Sequence, residues 1–165
     1  MLGVDKEIGY TLGYTKYDKE NAGGHFIMEG QTSPVDCGEK IEFVRSVQPD
    51  TEVIQMQRGD IAVAAHVYGA GRSVYIAGLP YSAPNARLLH RAIFWSAGQE
   101  QELYRWHCDN LYTECAAYPE TGWVCVINNS LEPQKTRLYA DAETSVEVEL
   151  AAGGHQWFRM EELAS

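Results

Sequence analysis

Two apolar runs dominate the first hundred residues. Residues 61–68 read Ile-Ala-Val-Ala-Ala-His-Val-Tyr, and residues 74–79 read Val-Tyr-Ile-Ala-Gly-Leu. Between them lies Gly69-Ala70-Gly71-Arg72, whose glycines can take positive φ. Two such runs joined by a short glycine-containing loop predict a β-hairpin. Apolar residues on both faces predict burial on both sides, as in a sheet sandwiched by helices. The second run ends at Pro80-Tyr81-Ser82-Ala83-Pro84. Ser82 is a good helix N-cap, and Pro84 suits a first turn because it has no N–H to leave unsatisfied. Leu88, Leu89, Ala92, Ile93 and Ser96 recur at helical spacing, and Gly98 supplies a stop. The pattern predicts a helix over 84–97.

Upstream the pattern is weaker. Residues 1–24 carry five glycines and read as a long, irregular lead-in. Such a loop at the start of a domain is unusual, which suggests a chain beginning inside something larger. Residues 25–28 form a short strand candidate. Residues 29–40 hold Gly30, Pro34 and Gly38 and read as loop. Ile41, Phe43 and Val47 suggest a strand, and residues 51–56 another, ended by Arg58-Gly59-Asp60.

After Gly98 the period changes. Residues 103–108, 111–117, 123–128, 135–139, 146–150 and 156–160 all read as strands. Val146, Val148 and Leu150 alternate with Glu147 and Glu149, giving one buried and one wet face. Turn chemistry separates the segments at Pro119-Glu120-Thr121-Gly122, Asn128-Asn129-Ser130 and Gly153-Gly154. Six short strands at this spacing predict a small antiparallel sandwich or barrel. The expected organisation is an α/β part over 1–100 and a small all-β, sandwich-like domain over 101–165.

The formal net charge of -10 disfavours a nucleic-acid or anionic-membrane partner. No apolar run approaches the roughly 20 residues of a membrane span, and the N-terminus lacks a signal-peptide layout. The four cysteines form no CxxC pair, which disfavours zinc. Free thiols in a reducing, cytoplasmic compartment are the expectation. In that compartment the Asn128-Asn129-Ser130 sequon is a coincidence.

Candidate chemistry is sparse. No nucleophile elbow, GxGxxG or P-loop is present. Asp36-Cys37-Gly38 sits in a predicted loop, and a Cys37-dependent hydrolase is a weak rival reading. His107-Cys108-Asp109 is a compact cluster, but neighbours on a strand face opposite ways and do not share one ion easily. Trp95, Trp106, Trp123 and Trp157, with ten tyrosines, hint at sugar stacking. Tryptophan on strands and helices reads as core before it reads as a platform. No metal, catalytic or substrate-binding residue is assigned.

Several stretches carry a resemblance. Residues 71–82, Gly-Arg-Ser-Val-Tyr-Ile-Ala-Gly-Leu-Pro-Tyr-Ser, lead into residues 85–95, Asn-Ala-Arg-Leu-Leu-His-Arg-Ala-Ile-Phe-Trp. Before them stands Val-Asp-Lys-Glu-Ile-Gly-Tyr-Thr-Leu-Gly at 4–13. After them come Asn128-Asn129-Ser130 and Gly153-Gly154-His155-Gln156-Trp157-Phe158. In this order they resemble the C-terminal region of the galacto-N-biose/lacto-N-biose phosphorylases. The resemblance implies an enzyme family that splits β-1,3-galactosyl-N-acetylhexosamines with inorganic phosphate to α-galactose 1-phosphate, with no cofactor. It implies an N-terminal TIM barrel carrying the catalytic residues, a middle amidotransferase-like α/β domain and C-terminal β modules. A barrel takes about 250 residues, so no catalytic residue carries over. The leading expectation is a non-catalytic portion of such an enzyme, partnered by the missing barrel or by a second copy in a homodimer. Asp5, Lys6, Glu7 and Tyr10 are candidate contacts to that remainder; the alternative, favoured for charged loop residues, is a solvated surface loop. The alternative is a free-standing carbohydrate-binding or protein-interaction module.

Overall fold

The structure is a computed structural model, and it describes residues 2–8, 15–21, 23–31, 34–39 and 43–163. It divides into two compact units, Met1–Gly98 and Gln99–Ser165.

The first unit is built on antiparallel pairing. Strands β1 (Val4–Lys6) and β2 (Val44–Ser46) form a two-stranded sheet. Strands β3 (Glu52–Gln57), β4 (Asp60–Tyr68) and β5 (Gly71–Ile76) form a meander in that order. The hairpin expected at Gly69-Ala70 is present, with Tyr68 opposite Gly71 and Gly69 at φ 59°. The β3–β4 turn places both Arg58 and Gly59 at positive φ, as a two-residue hairpin with the right-handed strand twist requires. Helix α1 (Ala83–Ala97) follows β5. The Ser82 hydroxyl accepts from the Asn85 N–H, and Gly98 closes the helix in the left-handed conformation.

The α/β expectation, with its amidotransferase-like domain, is overturned. Among the described residues the structure is mostly β, with four small antiparallel sheets and two α-helices, α1 and the short α2 (Met160–Leu163). The physical reason lies in β4. Its apolar run is buried on both faces, but helix α1 covers only one of them. On that face Leu88, Ala92 and Trp95 join Ala62, Val63 and Ala65. On the other, Ile61 and Ala64 pack with Val44 and Val53. A second sheet thus does the work predicted for a second helix layer. Residues 25–28 are not a strand either. His25 caps a 3-10 turn, Phe26–Met28, its Nδ1 accepting from the Ile27 N–H. The strand predicted around residue 41 begins at Val44, and Ile41 lies outside the described residues.

Part of the lead-in over 1–24 is docked. The Asn21 N–H donates to the Val53 carbonyl and the Ser46 N–H to the Asp18 carboxylate. Arg45 reaches Asp18 at 3.4 Å and Asp60 at 3.1 Å. Gly3, at φ 71°, lets the chain pass His66 so closely that a Cβ there would lie 2.6 Å from the ring. Arg91, buried on α1, donates to the Phe26 carbonyl, pairs with Glu29 and stacks over the Phe26 ring.

The second unit is a two-layer sandwich. One sheet has the order β10-β9-β6, with β6 (His107–Cys108), β9 (Gln134–Tyr139) and β10 (Ser145–Leu150). The other has the order β11-β8-β7, with β7 (Thr113–Tyr118), β8 (Trp123–Asn128) and β11 (His155–Arg159). Val124 and Val126 from one layer meet Leu138, Val148 and Leu150 from the other. The segment predicted as a strand from 103 starts instead as a 3-10 turn, Glu100–Tyr104. Among the described residues, no helix is long and apolar enough to cross a membrane.

Candidate functional site

Strand alternation puts one set of β7–β8–β11 side chains in the core and aims the other outward. Cys115, Ala117, Val124, Val126 and Phe158 join the core cluster. The opposite face carries the row Tyr118, Trp123 and Arg159, with Trp157 in the next row across from Cys125. Trp157 is 49% exposed and Tyr118 47%. Their ring centroids lie 5.7 Å apart at 33° between planes, so the two rings make a shallow, slightly bent platform. Trp123 stands edge-on to Trp157 at 6.4 Å and is capped by the Arg159 guanidinium 4.0 Å from its centroid. The general expectation that tryptophan is core holds for Trp95, which is buried, and fails for Trp157. The signal was present in the sequence: Trp157 lies between Gln156 and Phe158, and Phe158 is the better inward residue.

The first unit holds an open recess of about 410 Å³ lined by Leu2, Val4, Asp5, Lys6, Val44 and Tyr75. Asp5 and Lys6, two of the expected contact residues, are among its lining. The Asp5 carboxylate accepts from the Lys6 backbone N–H. Glu7 turns instead to Lys16, at 2.7 Å. Tyr10 lies outside the described residues.

The cysteine and histidine candidates are placed apart. Cys37 is buried, its thiol directed at the Ala62 carbonyl 3.9 Å away. Burial pushes that thiol up, the reverse of what an activated thiolate needs. His66 is buried and reaches the Asp50 carboxylate at 3.2 Å. Within His107-Cys108-Asp109, the strand separates the side chains. Cys108 enters the core, while His107 lies beside the Tyr104 and Tyr139 rings. The Asp109 carboxylate accepts from the Arg137 N–H at 2.8 Å and the Thr136 hydroxyl at 3.2 Å.

Two family models match this chain. The lacto-N-biose phosphorylase central domain covers residues 1–101, and the lacto-N-biose phosphorylase C-terminal domain covers residues 106–158. The chain belongs to the lacto-N-biose phosphorylase family. A 1,3-β-galactosyl-N-acetylhexosamine phosphorylase of Lachnoclostridium phytofermentans is 39% identical over 97% of this chain and 22% of its own length. The enzyme of that name from Bifidobacterium longum subsp. longum is 38% identical over 95% of this chain and 25% of its own. A D-galactosyl-β-1→4-L-rhamnose phosphorylase of L. phytofermentans is 28% identical over 87% of this chain and 19% of its own. The chain therefore spans about a quarter or less of the relatives it matches.

Proposed function

We propose that this chain is an accessory, non-catalytic portion of a phosphorylase acting on 1,3-β-galactosyl-N-acetylhexosamines. The observation that carries the reading is the ordered match of central and C-terminal family domains, at 37–39% identity to phosphorylases so named. The lower identity to the rhamnoside enzyme favours the N-acetylhexosamine class. The chemistry is consistent with an accessory role. Inverting phosphorolysis needs an acid, a phosphate clamp and a sugar pocket held on one frame. Here Arg45 and Arg91 are engaged by carboxylates of the first unit, Arg137 and Lys135 by Glu147 and Glu149 of the second. The remainder of the enzyme is the expected partner, with the Asp5–Lys6 recess as its contact.

A second reading, a carbohydrate-binding surface, is favoured by the Trp157–Tyr118 platform, since exposed rings stack on the apolar faces of sugars. One experiment separates the two. The chain is titrated with galactosyl-β-1,3-N-acetylhexosamine, and galactose 1-phosphate is assayed after adding phosphate. The accessory reading expects neither a binding isotherm nor product. The platform reading expects a weak isotherm that is abolished in Trp157→Ala, still with no product. Product above a blank would overturn both.

A further inference from the structure

Helix α1 turns one face into the core and leaves a second, uncharged face in solvent. Leu88, Ala92 and Trp95 are buried on the first. Ala86, Leu89, His90, Ile93 and Ala97 recur at spacings of three and four residues, which places them on one stripe of the helix. All are exposed, Leu89 to 42% and Ile93 to 57%. Phe94 borders the stripe, its ring edge-on to His90 at 5.0 Å between centroids. The helix has no acidic residue, and its two arginines are turned to other contacts. Arg91 is buried against Glu29 and Phe26. Arg87 lies against Gly30, where a Cβ would stand 2.8 Å from its guanidinium. A surface helix ordinarily carries its charges on the outer face, and one that is apolar all round is ordinarily covered.

We propose that this face is the contact between two copies of the chain, their α1 helices packed antiparallel about a two-fold axis. The order of side-chain sizes along the stripe suits such a pairing. An axis level with residue 91 sets Leu89 opposite the partner's Ile93, and the same contact recurs on the other side of the axis. Ala86 then faces the partner's Ser96. The large apolar side chains meet near the centre, and the small ones at the ends let the helices approach. Each copy uses the same patch, so the assembly closes at two.

Charge favours a second copy as the occupant. A net charge of -10 makes two copies repel over most approaches. The α1 stripe lets them meet without setting carboxylate against carboxylate. It is also contiguous, unlike Leu131, which is 93% exposed in the loop between β8 and β9 and stands singly, as many surface residues do. A helix of 15 residues is about 22 Å long, so the contact lies at the small end of specific interfaces. The dimer is therefore one that exchanges with monomer as the chain is diluted.

The test is sedimentation velocity of the chain over a wide range of concentration. The mass should rise with concentration from 18.5 kDa toward twice that value and stop there. Ile93→Lys should weaken the association by at least about a hundredfold, because a two-fold interface carries each substitution twice. Leu89→Glu should do the same. The double variant Leu89→Glu/Ile93→Lys places opposite charges across the axis and should recover part of the association. Leu131→Lys should leave it unchanged. Far-UV circular dichroism checks that each variant keeps the parent fold, and Ser96→Glu, also on an exposed position, replaces any that does not. A chain that stays at 18.5 kDa at every concentration would overturn the proposal and assign the face to the remainder of a longer enzyme. Growth beyond a dimer, or equal weakening by Leu131→Lys, would overturn it as well.

Discussion

Replacing Gly78 by alanine should destabilise the first unit by about 2–3 kcal/mol, as forced overpacking does. Gly78 lies in the turn from β5 to α1. A Cβ at this position would stand 2.3 Å from the Cys37 carbonyl oxygen and 3.3 Å from its carbon. The obstructing atoms are backbone, so no rotamer change relieves the clash. The crossing segment is also anchored. Gln55 both accepts from the Val35 N–H and donates to the Val35 carbonyl, at 2.9 and 2.7 Å. Asn85 donates to the carbonyls of Asp36 and Pro80, tying the same segment to the turn and the first turn of α1. Movement of residues 36–38 away from Gly78 must therefore break one of these bonds. Urea unfolding followed by a probe in the first unit should show a lowered midpoint. An unchanged midpoint would mean that the crossing segment yields freely.

Leu138→Ala should cost the second unit about 3–4 kcal/mol, within the range for a buried leucine in a packed core. Leu138 has no exposed surface and sits where the two sheets meet, among Val124, Val126 and Val148. Each layer has only three strands, so few side chains are available to close the cavity left behind. Amide exchange on β8 and β9 reports this directly, because their ladder bonds open only when the sandwich does. Protection there should fall by two to three orders of magnitude, at about 1.4 kcal/mol per tenfold. Protection that stays within a few-fold of the parent would show that the two sheets collapse around the missing side chain.

Local signals were legible in the sequence and long-range ones were not. Ser82, Pro84 and Gly98 mark α1 almost to the residue, because caps and stops act through neighbouring backbone groups. The Gly69 turn and the alternation at 146–150 are short-range in the same sense. The α/β expectation failed at β4, where an apolar run states that both faces are covered but not by what. A β1–β2 layer covers one of them. Residues 25–28 misled for a similar reason: His25-Phe26-Ile27-Met28 has strand-like composition, yet the His25 side chain caps its own backbone and closes a 3-10 turn. Of the candidate surfaces, the Trp157 platform follows from strand period alone once β11 is assigned.

The relation of this chain to its longer relatives is tested most directly by a graft. In the L. phytofermentans 1,3-β-galactosyl-N-acetylhexosamine phosphorylase, the matching 22% of the enzyme is replaced by this chain. Galactose 1-phosphate formation from a galactosyl-β-1,3-N-acetylhexosamine and phosphate is then measured. The same enzyme with the matching segment removed serves as the blank. The expected result is turnover by the graft and none by the blank. A folded, soluble graft that forms no galactose 1-phosphate would contradict the assignment of this chain as the working central and C-terminal portion of such an enzyme.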